Sequence, residues 1–196
     1  MSGGHHLILG ELRDFITGEI LTDTHDERYR QKLARLLVEK KGYLKSEIVP
    51  RCDLSVSAGN QKAIIKVDFK ITLSRGSQEQ EGGRVCMIVK YGPGSLVTRH
   101  RPVLAASRLL VPYQIPYVVV TNGEDADIMD AVSGKVIASG LDAVPSKSEL
   151  IRMVQDKHFD PVPAKRAEME SRIVYAYEVV GSCPCDDTIC RLENGS

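Results

Sequence analysis

The sequence predicts an α/β fold, a mixed central sheet flanked by helices. Three observations carry this. Two neighbouring segments, Ala63–Leu73 and Arg84–Tyr91, have the length and residue types of strands, and the first alternates apolar with polar residues. Tyr117–Thr121 (YVVVT) is a continuous apolar run, as expected of a strand buried on both faces. Between and around them lie segments with helical signals, so helices and strands interleave.

Residues 17–24 read as a connector that ends in a helix cap, because Thr24 and Glu27 form an S/T-x-x-E capping box. The helix that follows runs to about Lys41. Tyr29, Leu33, Leu36 and Leu37 make one apolar stripe on it, and Gly42 is a natural stop. A strand is expected over Glu47–Val56, with Pro50 marking an edge or a bulge, and Ala58-Gly59-Asn60 turns the chain. On the next strand Ile65, Val67, Phe69, Ile71 and Leu73 share one face, and Lys66, Asp68 and Lys70 the other. Ser74–Gly83 is a polar loop that carries Glu79 and Glu81. After it, Val85, Met87, Val89 and Tyr91 oppose Cys86, Ile88 and Lys90. A helix is expected over about Pro102–Val111, with Pro102 in its first turn. Asn122-Gly123 is a turn. Ala126–Ala131 and Lys135–Ala138 read as a hairpin around Ser133-Gly134. Two helices follow, over about Lys147–Gln155 and Ala164–Val180, joined by the stiff linker Asp160-Pro161-Val162-Pro163. The expected organisation is one domain over 1–145, C-terminal helices packed on it over 146–182, and a cysteine-rich tail over 183–196.

The totals restrict the function. The chain has 196 residues, of which 42% are hydrophobic, enough for one core. Lys+Arg and Asp+Glu both number 26, so the formal net charge is zero. That balance argues against a protein coated in basic charge for non-specific nucleic-acid binding, but leaves room for a local basic cleft. No apolar run is long enough to span a membrane. The first residues lack the pattern of a signal peptide, so a cytoplasmic protein is expected. Five cysteines, two of them inside expected strands, do not suggest a disulfide framework. No Gly-rich phosphate loop and no internal repeat is present.

The stretch TGEILTDTHDERYRQKLARLLVEKKGY resembles the opening of the N-terminal nuclease domain of type I restriction enzyme R subunits, through Thr17, Gly18, Asp23, Thr24, Glu27, Arg30, Gln31, Gly42 and Tyr43. The segment PYVVVTNGEDADIM is similar to a strand and turn of the same family. The resemblance covers roughly residues 17–140. It implies a restriction-endonuclease-like sheet of the PD-(D/E)XK nuclease superfamily, DNA as substrate, and Mg2+-dependent phosphodiester cleavage. The family's metal site combines a strand Asp with an acid-x-Lys on the neighbouring strand. Asp68 and Lys90 match this pattern, but Ile88 stands where the second acid belongs. The Gln-and-Tyr pattern that related nucleases place on the next helix is also missing from PVLAASRLLVPY, where Tyr113 falls beyond the expected helix end.

Mg2+ requires hard oxygen ligands, usually one or two carboxylates with waters, and it generates the attacking hydroxide. On the family pattern Asp68 would be a metal ligand, Lys90 the cation that orients water, and Glu27 an additional carboxylate from the first helix. Ile88 cannot bind metal. Cleavage is therefore expected to be impaired, with Asp68 and Lys90 reduced to an ion pair. A rearranged active site using Glu27, Asp68 and Lys90 is the alternative, and a non-enzymatic protein-interaction module is a third. Each residue also has an ordinary reading: Glu27 as a capping-box partner, Asp68 as a solvated strand residue, and Lys90 as a surface charge.

Arg99, His100 and Arg101 cluster before the second expected helix, with Arg108 on it. Arg99, Arg101 and Arg108 are candidate contacts to DNA phosphates, or else a solvated charge cluster. Cys183, Cys185 and Cys190 form C-P-C-x4-C, a candidate Zn2+ or iron–sulfur site that needs a fourth ligand from Asp186, Asp187, His158 or a second chain, or else a thiol-bearing tail. The expected partner is DNA, with a homodimer or another protein as further possibilities. No motor motif is present.

Overall fold

The computed structural model describes residues 8–74, 83–180 and 189–192. A short hairpin, β1 (Gly10–Arg13) and β2 (Ile20–Asp23), precedes helix α1 (His25–Arg35). Thr24 caps α1, its side chain accepting from the Glu27 N–H at 3.1 Å. The helix continues as a wider π turn over Leu36–Lys40, and Gly42 leaves it with φ 76°. Strands β3 (Ile48–Ala58), β4 (Gln61–Leu73) and β5 (Arg84–Tyr91) lead into α2 (Val97–Ala106). Then come β6 (Tyr117–Thr121), the hairpin β7 (Ala126–Asp130) and β8 (Lys135–Ser139), α3 (Lys147–Met153), α4 (Ala164–Val174) with a π turn over Tyr175–Val179, and β9 (Ile189–Leu192).

Among the described residues, seven strands form one sheet in the order β3-β4-β5-β6-β7-β8, with β9 also paired to β4. All neighbours are antiparallel except β5 and β6. One side buries Leu33, Ala34 and Leu37 of α1 with Leu150 and Val154 at α3. The other buries Val103–Ala106 of α2 with Val174, Tyr175 and Val179 at α4. Helices thus cover both faces, giving three layers around two buried clusters. This is the mixed, helix-flanked sheet of restriction-endonuclease-like folds.

Several elements differ from the sequence expectation. The 17–24 connector contains β2, paired with β1, neither of which has enough alternating residues to announce itself. Helix α2 begins at Val97 and carries Pro102 in its interior, so the Arg99–Arg101 cluster lies on the helix rather than before it. In the C-terminal segment, Ile189–Leu192 is a strand on β4. The apolar residues of β4 alternate as expected but do not share one face. Ala63, Ile65 and Val67 join the α2–α4 cluster, whereas Phe69, Ile71 and Leu73 join the α1–α3 cluster. The change falls at Asp68, where the ladder with β3 passes from Pro50↔Phe69 to Cys52↔Val67 without pairing Arg51, a residue with φ 50°. On β5 a bulge between the Ile71 and Thr72 pairings puts Cys86 in the same cluster as Met87.

Gly123 anchors the turn after β6. Its φ is 90°, and a Cβ there would collide with the Tyr29 ring on α1. We expect Gly123→Ala to cost about 1–3 kcal/mol, from the left-handed backbone and the displaced ring. Urea denaturation of wild type and variant checks this, and an unchanged midpoint would refute it.

Candidate functional site

The sheet forks at Asp68. One edge of β4 pairs with β5 from Leu73↔Arg84 to Phe69↔Val89 and then stops. Further along the same edge β9 takes over, from Ile65↔Ile189 to Lys62↔Leu192. Lys66, Val67 and Asp68 are left between the two ladders. Two polar groups in this gap are taken up by β5. The Lys66 carbonyl accepts from Lys90 Nζ at 2.8 Å, and the Tyr91 N–H donates to Asp68 Oδ2 at 2.8 Å.

The structure therefore brings Asp68 and Lys90 together: both are buried, and Lys90 Nζ lies 4.0 Å from Asp68 Oδ2. Lys90 is also 3.5 Å from Glu178 on the last turn of α4. Glu27 is buried too, and its carboxylate does not close a capping box. It accepts from Gln31 Nε2 at 2.8 Å and faces Arg30 Nη1 at 3.4 Å and Arg51 Nη1 at 3.7 Å. Arg30 Nε donates to Asp68 Oδ1 at 2.5 Å, so one guanidinium spans Glu27 and Asp68. Burial alone would weaken the hold of Arg30 on its proton, but the charge of Asp68, with Glu27 and Asp26 behind it, raises its pKa further above the ordinary arginine value. The guanidinium also lies over the Tyr91 ring, 5.5 Å from its centre, and Tyr91 stacks on Tyr29. The Tyr91 hydroxyl donates to Asp26 at 3.1 Å. Burial and then Asp26 raise its pKa.

The network extends to the β1–β2 turn. Asp14 accepts from the Ile16 and Thr17 N–H groups, from Gln31 Nε2 at 3.0 Å and from Arg51 Nη1 at 2.7 Å. Read along its length, it alternates in sign: Asp14, Arg51, Glu27, Arg30, Asp68, Lys90, Glu178. Sequence reasoning missed Asp14, Arg51 and Glu178 altogether. Arg30 and Gln31 had a signal, because they lie three and four residues after Glu27 on one helix face. Glu178 had none, since only the packing of α4 brings it near Lys90.

Three observations decide how these residues suit Mg2+. Both oxygens of Asp68 are engaged, one by a guanidinium and one by a backbone N–H. Ile88, expected from the motif pattern to stand where a second acid would, is fully buried in the cluster that holds Val118, Val120 and Ala105. Among the described residues no three His, Cys, Asp or Glu side chains come together as metal ligands. The arrangement does not fit a Mg2+ site. Glu79, Glu81, Cys183 and Cys185 lie outside the described residues, while Cys190 is exposed on β9.

The expected DNA contacts are distributed differently from the sequence reading. Arg108 is buried and saturated, donating to Gln114 at 2.9 Å, Glu170 at 3.0 Å and the Ala131 carbonyl at 3.1 Å. Burial lowers its pKa even so, with Glu170 opposing. It is an interior brace of α2 against α4, which removes it from a phosphate-facing role. Arg101 reaches the same Glu170 at 2.6 Å and stays partly exposed, and Arg99 bonds the Pro93 carbonyl at 3.0 Å. Tyr113, expected beyond the helix, accepts from the Val85 N–H through its hydroxyl at 2.8 Å, which fixes the start of β5.

Fold and fork together define a domain built on the nuclease sheet, with an acid and a lysine at the split between two strands. The model of the family described as type I restriction enzyme R protein N terminus (HSDR_N) matches residues 25–145, more than half of the chain, and the chain belongs to that family. No curated protein and no solved structure matches the chain. Among the described residues no helix is long and apolar enough to cross a membrane.

Asp14 gives the network a pH signature. Burial would raise its pKa, but the Thr17 N–H, Arg51 and Gln31 outweigh it and lower the value to about 2. A carboxyl depressed in the folded state contributes stability above its unfolded pKa and loses it as pH falls through the folded one. Wild-type stability should therefore drop by on the order of 2 kcal/mol between roughly pH 4 and pH 2 on account of this group. Asp14→Asn should be less stable at neutral pH and flatter across that window. Denaturant titrations at several pH values check both parts, and parallel pH profiles would contradict the assignment.

Proposed function

We propose that this domain is a DNA-handling member of its family that does not carry out Mg2+-dependent cleavage. The observation that carries the reading is Ile88. It fills the second-acid position with a buried branched side chain, so the hard-oxygen donor set that phosphodiester hydrolysis needs is one carboxylate short. Family membership supports DNA as the partner, and the balanced net charge restricts contact to a local surface. The non-enzymatic role then lies in holding or sensing DNA, or in seating this domain against a protein that does.

One observation favours a second reading. Glu178 brings a carboxylate from α4 to within 3.5 Å of Lys90, where it could take over from the missing acid in a rearranged active site. The route through Glu27 is less favourable, because Arg30 stands between it and Asp68.

A plasmid-cleavage assay with Mg2+ or Mn2+ separates the two, run beside fluorescence anisotropy on labelled duplex DNA. The expected result is intact plasmid together with duplex binding that weakens as salt rises. Metal-dependent cleavage lost in both Asp68→Asn and Glu178→Gln would establish the second reading. Intact plasmid with no duplex binding at low salt would move the function from DNA to a protein partner.

A further inference from the structure

The disagreement between the family's metal chemistry and these residues has a specific physical form. A metal in a nuclease of this kind neutralises carboxylates that converge on one point. Here Arg30 occupies that role, with Nε 2.5 Å from Asp68 Oδ1 and Nη1 3.4 Å from Glu27 Oε2. The second oxygen of Asp68 is closed by the Tyr91 N–H. Lys90, the cation that would orient a metal-bound water, is bonded to the Lys66 carbonyl and lies closer to Glu178 than to Asp68. The Tyr91 ring beneath the guanidinium, stacked in turn on Tyr29, braces it.

We propose that Arg30 is a built-in cation that takes the place of the divalent metal at Asp68 and Glu27, so that this fold is held ready without a metal. The inference rests on the reading of the domain as non-cleaving and supplies its physical basis. Coordination explains why the two cations exclude each other. Asp68 has one oxygen on Arg30 and the other on the Tyr91 N–H, and Glu27 has one oxygen on Arg30 and the other on Gln31. A divalent ion needs such oxygens as its ligands. The metal can therefore enter only where the guanidinium leaves.

The test is metal binding by the full chain, read by titration calorimetry and thermal unfolding with Mn2+ and with Mg2+. Wild type should show no binding that depends on Asp68. Arg30→Met should gain a saturable Mn2+ site, with a Tm rise of roughly 5 °C or more at about a hundred times its dissociation constant, and the gain should vanish in Arg30→Met/Asp68→Asn. If Arg30→Met is unfolded in metal-free buffer, Mn2+ should restore its native circular dichroism. Three results would overturn the proposal: Mn2+ binding by wild type that Asp68→Asn abolishes, a folded Arg30→Met that binds no Mn2+, or an unfolded one that Mn2+ does not restore. The plasmid assay on the same samples keeps the two readings apart. Mn2+ binding by wild type without cleavage sinks the role of Arg30 alone, whereas cleavage by wild type sinks the non-cleaving reading.

Discussion

The contact between Arg30 and Asp68 is the constraint around which this structure is arranged. It joins α1, on one side of the sheet, to the point where β4 loses its neighbour, with Asp68 buried and Arg30 largely so. A buried pair of this kind contributes less net stability than its short distance suggests, because both ions have left water. Breaking it from one side is another matter, since it strands the remaining charge, and that cost is typically about 3–5 kcal/mol. The pair therefore acts as a lock more than as a source of stability. It fixes how α1 sits on the fork, and the rest of the alternating chain fixes the β1–β2 hairpin and the end of α4 to the same point.

The fork has a backbone origin. Arg51 has a positive φ, rare for a residue with a side chain, and it interrupts the β3–β4 ladder opposite Asp68. Strain of this sort persists only where the surroundings over-determine it. Here Arg51 is held by Asp14, Glu19 and Glu27. The interruption lets β4 change which helical layer covers its apolar face, and β5 diverges to run parallel with β6. A carboxylate at such a break can be engaged from both layers, from α1 through Arg30 and from the α4 side through Lys90.

Much of the scaffold was legible in the sequence because it depends on local rules. The cap at Thr24, the stop at Gly42, the strand over Tyr117–Thr121 and the hairpin after Ala126 follow from short-range chemistry and stand where it put them. The pairing of Asp68 with Lys90 was also legible, through the family motif. What escaped depends on tertiary context. Period-two alternation assigned all of β4 to one face, and nothing local announces that Arg51 will break the ladder. Pro102 pointed to a helix start by a rule that holds for most prolines, yet here the helix accommodates it internally. Arg108 looked like a surface cation, because sequence alone does not reveal that Glu170, Gln114 and a carbonyl wait for it in the interior.

The apolar residue at position 88 and the placement of Arg30 belong together. Two carboxylates facing one another need a divalent counter-ion, or one of them must take up a proton. A single carboxylate needs only one positive charge, and a guanidinium offers that with directed hydrogen bonds. With Ile88 in the apolar cluster, Asp68 is the lone acid on its stretch of strand, and Arg30 supplies the matching charge from the next element in space. Lys90 finds its own acid in Glu178, 3.5 Å away. An acid placed at 88 would not by itself create a metal site. It would put a new charge into a cluster built from Val118, Val120 and Ala105, while the guanidinium still covered Asp68. The two features reinforce one another: Ile88 offers no ligand, and Arg30 neutralises the acid beside it.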